Sequence, residues 1–259
     1  MRKSEWAKRV QRATRLAERF AYAQEILAFY GEVLKLQEKI FEQSASPSAN
    51  SEAPFYDRLD AVDAARHLPA LLSLVEARGT AKLAEEATSI RGASGEQHVA
   101  MLQGFLAGER SDRAFFARAL LQPYAERLAA SLPGPSYTGD KSVCPRCQSR
   151  PQAAVLRPEG DGGKRFLLCS LCLTEWEFRR ILCPACGEEN HRNLPRYSAE
   201  QVDAVRVEAC DTCHFYLKSV DMTVDGLAVP LVDEVATVPL DLWAGDHGYK
   251  KITPNLMGF

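Results

Sequence analysis

The chain lacks any long apolar run, and this absence narrows what the protein can be. No part of its 259 residues forms the run of about 18 consecutive apolar residues that a spanning helix needs, so we expect no membrane-spanning helix. The N-terminal segment MRKSEWAKRVQRATRLAERF also lacks the apolar centre of a secretory signal peptide, which favours a cytoplasmic location. In that reducing compartment, closely spaced cysteine pairs are more often metal ligands than disulfides.

An excess of charge of one sign is missing as well. The net charge is −2, and residues 141–259 carry 14 Lys and Arg against 16 Asp and Glu. Metal-bound thiolates would make that part more negative, which argues against a nucleic-acid surface. Five basic residues do cluster near the first cysteines and keep a zinc-ribbon nucleic-acid-binding protein open as an alternative: Arg146, Arg150, Arg157, Lys164 and Arg165.

No cysteine precedes Cys144, and in that part of the chain the spacing of apolar residues predicts helices. Apolar residues recur three and four positions apart through residues 4–42, which predicts one long helix. Four further helical segments follow, the first of them broken near Pro69: residues 55–78, 80–91, 94–108 and 111–131. A Pro- and Gly-rich segment, residues 132–140, predicts a linker, so we expect an all-helical domain over residues 1–138.

The remaining part of the chain is an internal repeat built on cysteine. All eight cysteines occur in Cys-x-x-Cys pairs, namely Cys144/Cys147, Cys169/Cys172, Cys183/Cys186 and Cys210/Cys213. The first pair aligns on the third and the second on the fourth, at nearly the same offset. Each half predicts strand, turn and strand between its pairs, which indicates duplication. We therefore predict two small β modules, residues 139–180 and residues 181–259 with the C-terminal tail.

The segment between the second and third pairs decides how the sulfurs are grouped. Residues 173–182 contain no Gly, Pro, Asn or Asp, and their alternation predicts an uninterrupted strand whose ends lie roughly 30 Å apart. Sulfurs that share one tetrahedral ion must lie within about 4 Å of each other. We therefore expect consecutive pairing, with one site in each module. An interleaved arrangement, in which the first and third pairs share an ion, is the alternative.

A tetrahedron of four thiolates suits zinc and iron almost equally, and the chemistry alone favours structural zinc. Such a closed site has no vacant position for a substrate, so we expect no catalysis there. Gly187 suits the tight turn after Cys186, whereas Gln148 stands at the matching position of the first module and predicts a less regular turn. His191 and His214 are expected to be neighbours of the sulfurs and not ligands.

The C-terminal tail predicts two local features. Asp225-Gly226 between two apolar triplets predicts a β-hairpin. Residues 231–243 predict one short helix in spite of Pro239.

These residues resemble one known family, the formate dehydrogenase accessory protein FdhE. The resemblance covers about residues 140–259 and is carried by Cys144-Pro-Arg-Cys147, Cys169-Ser-Leu-Cys172, Cys183-Pro-Ala-Cys186-Gly187 and Cys210-Asp-Thr-Cys213, with the tail PLDLWAGDHGYKKITPN. It implies a cytoplasmic protein, not itself an enzyme, that assists maturation of respiratory formate dehydrogenase and contacts its catalytic subunit before export. A homodimer is an open alternative.

The resemblance also implies rubredoxin-like iron at the cysteines, so iron becomes the favoured metal and zinc the alternative, with two ions per chain. The expected fold is α+β and multidomain: an N-terminal all-helical domain followed by two tandem rubredoxin-like (zinc-ribbon-type) small β modules. A rubredoxin-like redox protein is the other alternative function.

Overall fold

A computed structural model describes residues 2–44, 52–109, 113–133, 141–160 and 162–259. Helices occupy the N-terminal part and a seven-stranded sheet occupies the C-terminal part, with two further helices in the tail. The predicted α+β fold class is confirmed. The predicted boundary near residue 138 lies outside the described residues, so the division into three domains stays a prediction.

The first helical segment is two helices and not one. Helix α1 (Arg2–Arg19) ends before Phe20, which is extended (φ −116°, ψ 94°), and helix α2 (Gln24–Gln43) begins after a short 3-10 turn. The prediction of a single helix over residues 4–42 is therefore wrong. Phe20 is buried at this break, and α1 packs against α2, so tertiary packing sets a break that has neither Gly nor Pro to mark it.

The other helices follow the predicted segments. They are α3 (Ala61–Ala65), α4 (Leu68–Arg78), α5 (Ala81–Arg91), α6 (Gly95–Leu106) and α7 (Ala114–Ser131). Side chains of Asp60, Thr80 and Ser94 cap α3, α5 and α6, and Pro69 stands in the first turn of α4. The predicted start of the last helix at residue 111 lies outside the described residues.

The two modules share one continuous sheet. Its strands are β1 (Pro151–Glu159), β2 (Gly162–Cys169), β3 (Glu175–Glu177), β4 (Arg196–Ser198), β5 (Val205–Ala209), β6 (Phe215–Asp221) and β7 (Lys250–Lys251). The order is β3-β2-β1-β6-β5-β4, with β7 beside β6. Strands β1, β2 and β3 of the first module and β4, β5 and β6 of the second are antiparallel to their neighbours in the same module, and β7 pairs in parallel with β6. Strands β1 and β6 also pair in parallel and join the modules.

The strand predicted between the second and third cysteine pairs is mostly absent. Only the three residues of β3 are extended in the sheet, and the chain bends at residues 180–181. The Phe178 N–H still donates to the Arg165 carbonyl (3.0 Å), and beyond Phe178 guanidinium groups donate hydrogen bonds to the backbone carbonyls. Arg165 donates to the Arg179 carbonyl (3.0 Å) and Arg196 donates to the Arg180 carbonyl (3.1 Å). The prediction of an uninterrupted strand over residues 173–182 was wrong for this reason.

Both predictions for the tail also need correction. The Asp225-Gly226 segment forms successive turns, because the Asp221 and Asp225 carboxylates accept backbone N–H groups two residues further on. The single helix is two helices, α8 (Pro230–Ala236) and α9 (Val238–Asp246), separated at Thr237. Pro239 stands in the first turn of α9, where its missing N–H costs nothing.

A buried lysine fixes these two helices on the sheet. Lys218 of β6 is fully buried, and its ammonium group contacts the Asp241 carboxylate (2.5 Å), the Glu234 carboxylate (3.2 Å) and the Thr237 hydroxyl (3.2 Å). Lys251 of β7 bonds to the same two carboxylates. Two ammonium groups thus face two carboxylates, so the buried charges are compensated.

Candidate metal centres

Site one is the group formed by Cys144, Cys147, Cys169 and Cys172. Its four sulfur atoms all lie within 4.8 Å of one another. The Cys144 and Cys172 sulfurs are 3.5 Å apart, and the Cys147 and Cys169 sulfurs are 3.3 Å apart. All four side chains are buried. One thiophilic ion can be surrounded by this set.

Site two is the group formed by Cys183, Cys186, Cys210 and Cys213. Its sulfurs also lie within 4.8 Å of one another, with 3.8 Å between Cys183 and Cys213 and 3.7 Å between Cys186 and Cys210. Cys186 is exposed and Cys213 is half-buried. The sulfur positions in both groups agree with consecutive pairing and not with the interleaved alternative.

All four Cys-x-x-Cys turns end in the same backbone conformation. The residue after the second cysteine has a positive φ in each case: 59° at Gln148, 55° at Leu173, 81° at Gly187 and 57° at His214. The expected irregularity at Gln148 is therefore not found, because glutamine adopts the conformation that glycine adopts at the matching position. The shared conformation lets each turn close tightly and direct both sulfurs to one point.

The chemistry of the donors fits a metal ion. Backbone N–H groups face sulfur atoms, as from Leu171 to Cys169 (3.4 Å) and from Ala185 to Cys183 (3.4 Å), which stabilises thiolates. Burial raises the pKa of the Cys183 thiol to about 11. A cation among the sulfurs is what would hold that group as a thiolate at neutral pH.

Helix α7 lies directly against site one. Arg118 and Gln122 both donate to the carbonyl of Ser170, between Cys169 and Cys172, at 3.0 and 3.2 Å. Burial lowers the pKa of Arg118 to about 10, so the guanidinium stays charged at neutral pH. Tyr56 adds a hydroxyl contact to Ser149 at 2.9 Å. The sequence gives one signal of this contact, because Arg118 and Gln122 lie inside the largely apolar α7. No sequence motif predicts which residue they contact.

A carboxylate joins the two turns of site two. Glu188 accepts hydrogen bonds from the Thr212 hydroxyl (2.5 Å), the Asn193 amide (3.0 Å) and the Asn190 backbone N–H (2.8 Å). These hydrogen bonds, that of Thr212 foremost, lower the pKa of Glu188 to about 2. Thr212 lies between Cys210 and Cys213, so Glu188 links the turn that it follows to the other turn.

The histidines near the sulfurs belong to neither group. Among the described residues, candidate metal-binding groups contain cysteine alone, without His191 or His214. His247 stacks on Trp243 with ring centroids 4.0 Å apart and bonds to the Trp243 carbonyl (2.8 Å).

Three of the clustered basic residues near the first module form ion pairs. Arg157 pairs with Glu175 (2.6 Å), Lys164 with Glu177 (2.8 Å) and Arg165 with Glu208 (2.7 Å). The guanidinium of Arg146 donates to the Pro133 carbonyl (2.9 Å). The nucleic-acid hypothesis therefore draws no support from these residues.

No helix within the described ranges combines the length and apolar character that crossing a membrane requires. The fold and the two sites define a class: a helical N-terminal part joined to a pair of zinc-ribbon-like modules, each with a tetracysteine group. Family models identify it further. Residues 143–180 match the FdhE central domain, and residues 181–257 match the FdhE C-terminal domain. The chain belongs to the FdhE family.

Relatives and a solved structure agree with this assignment. The chain is 28% identical to an FdhE homolog of Aquifex aeolicus over 94% of this chain and 92% of that protein. It is 31% identical to an FdhE homolog of Pseudomonas putida over 73% of this chain and 63% of that protein. The crystal structure of the FdhE protein from Pseudomonas aeruginosa superposes with a TM-score of 0.77 at 25% identity, covering 97% of this chain and 95% of that one.

Proposed function

We propose that the protein is a non-catalytic, metal-binding accessory factor required for maturation of respiratory formate dehydrogenase. It acts in the cytoplasm on the catalytic subunit before export. The observation that carries this proposal is the pair of closed tetracysteine groups in a chain of the FdhE family. A site with four protein sulfurs around one ion leaves no position for substrate or water, which supports the absence of catalysis.

The proposed cofactors are two metal ions per chain, one in each group. The proposed ligands are Cys144, Cys147, Cys169 and Cys172 at site one and Cys183, Cys186, Cys210 and Cys213 at site two. Iron is favoured by the family resemblance, and zinc is the alternative. Small β modules bury too little apolar surface to fold alone, so the ions would supply folding free energy.

Deletion and capture test the role in maturation. Deleting the gene in its host should abolish respiratory formate dehydrogenase activity while transcription of the dehydrogenase genes continues, and a plasmid-borne copy should restore the activity. Affinity-tagged protein from cells grown on formate should retain the catalytic subunit. Normal dehydrogenase activity in the deletion strain would show that the proposed role is wrong.

A further inference from the structure

The two sites differ in their access to solvent. All four cysteines of site one are at most 2% exposed and belong to the main hydrophobic core. At site two, Cys186 is exposed and Cys213 is half-buried, and none of its four cysteines belongs to a hydrophobic cluster of the described residues. The two modules therefore hold the same set of four cysteines in different surroundings, buried at site one and partly exposed at site two.

The residues around the cysteines are also more buried at site one than at site two. At site one, Ser170 and Leu171 of the second turn are buried, and α7 holds the Ser170 carbonyl through Arg118 and Gln122. At site two, the corresponding residues Asp211 and Thr212 are exposed, as is Gly187. All four sulfur-bearing residues of site one are covered by the folded chain, whereas Cys186 can be reached in the folded protein.

We infer that site two is an exchange site for a thiophilic divalent cation, such as Zn²⁺ or Fe²⁺, and that site one holds its ion permanently. This inference rests on the metal binding proposed above. A sulfur or nitrogen donor of an acceptor molecule would form one bond to the cation as the bond to the Cys186 sulfur breaks. The bonds to the other three sulfurs would then break in turn. The cation keeps its charge, the freed thiolates take protons from water, and no electrons move. The accessory factor can thus take up or release an ion while the first module stays folded.

Release of zinc to a chromogenic pyridylazo chelator tests this directly. Protein loaded with two Zn²⁺ per chain should lose one equivalent quickly and the second slowly, with rates that differ by roughly a hundredfold or more, because the slow step requires local unfolding. In Cys186→Ser, site two should either bind no Zn²⁺ or release it completely within the mixing time. The slow equivalent should be released at its original rate. Equal rates for both equivalents, or a fast phase that persists in Cys186→Ser, would overturn the inference.

Alkylation provides a second readout that does not depend on a variant. The zinc-loaded chain is treated with N-ethylmaleimide, quenched and mapped by mass spectrometry. Cys186 should be modified first and the four cysteines of site one last; early modification at site one would contradict the inference. A purified protein that binds no metal would instead refute the proposed function, so the two failures are distinguishable.

Discussion

At the scale of single residues, the metal centres depend on four left-handed backbone positions. Only one of them is glycine; the other three carry side chains at Gln148, Leu173 and His214. A side chain in this conformation costs about 1–2 kcal/mol. The position recurs after every cysteine pair, so the geometry of the turn, and not the residue type, is what the repeat retains.

Replacing the one glycine should show this cost. A Cβ at residue 187 would meet no atom within 4 Å, so Gly187→Ala changes backbone strain alone. We expect the free energy of unfolding to fall by about 1 kcal/mol, the left-handed cost less the entropic gain from removing glycine. Thermal and denaturant unfolding of the metal-loaded protein measure it.

Gly245→Ala in helix α9 is the matched control, because its Cβ would also meet no atom within 4 Å and its φ is not left-handed. That variant should be as stable as the wild type or slightly more stable. Equal effects of the two substitutions would show that the left-handed conformation carries no cost at residue 187.

At the scale of elements, the sheet joins two copies of one module by different edges. Strand β1 of the first module pairs with β6 of the second, which leaves the three-residue strands β3 and β4 at the outer edges. Short edge strands limit pairing with other chains. Arg165 of β2 also pairs with Glu208 of β5 in the interior, so a charge from each module meets across the junction.

Breaking that ion pair should destabilise the protein. Arg165→Met leaves the Glu208 carboxylate, whose side chain is 11% exposed, without its shortest partner, and we expect a loss of about 3 kcal/mol in the free energy of unfolding. The double variant Arg165→Met/Glu208→Leu should recover much of the loss, because neither charge remains buried. Denaturant unfolding of the single and double variants gives the coupling energy.

Lys35→Met removes one partner of the exposed pair with Glu32 and serves as the control, with an expected change below about 1 kcal/mol. A double variant less stable than Arg165→Met alone would contradict the view that the unpaired charge causes the loss.

The junction between the modules is a feature that the sequence does not predict. Alternation of side chains and the cysteine offsets predicted β1, β2, β5 and β6. The consecutive grouping of the sulfurs is also found, although the uninterrupted strand from which it was argued is mostly absent. The parallel pairing of β1 with β6 joins residues such as Ala153 and Lys218, and no local pattern specifies a contact so distant in sequence. The predictions of one helix through Phe20 and of a longer β3 failed for a related reason. In both places contacts with other elements overrode a continuous local pattern.

At the scale of the whole molecule, one core extends from the helices into the first module. Leu34 of α2, Leu120 of α7, Cys144 and Trp176 belong to the same buried cluster. Arg118 adds polar contacts from α7 to Ser170 and to the Pro254 carbonyl in the tail. The helical part and site one are therefore expected to unfold together.

Metal removal should reveal this coupling. Protein refolded without metal should lose helical circular dichroism at a temperature on the order of 10 °C lower than the metal-loaded protein, because site one no longer supports the core beneath α7. Helices that melt at the same temperature with and without metal would show that the two parts are independent.

Metal binding by the two tetracysteine groups is tested most directly by the metal content of protein purified without air, measured by elemental analysis together with a visible absorption spectrum and a count of free thiols. We predict two ions per chain and no disulfide, with the absorption of tetrathiolate iron if iron is bound and no colour if both ions are zinc. A chain with no bound metal, or with its cysteines oxidised to disulfides in place of ions, would contradict this prediction.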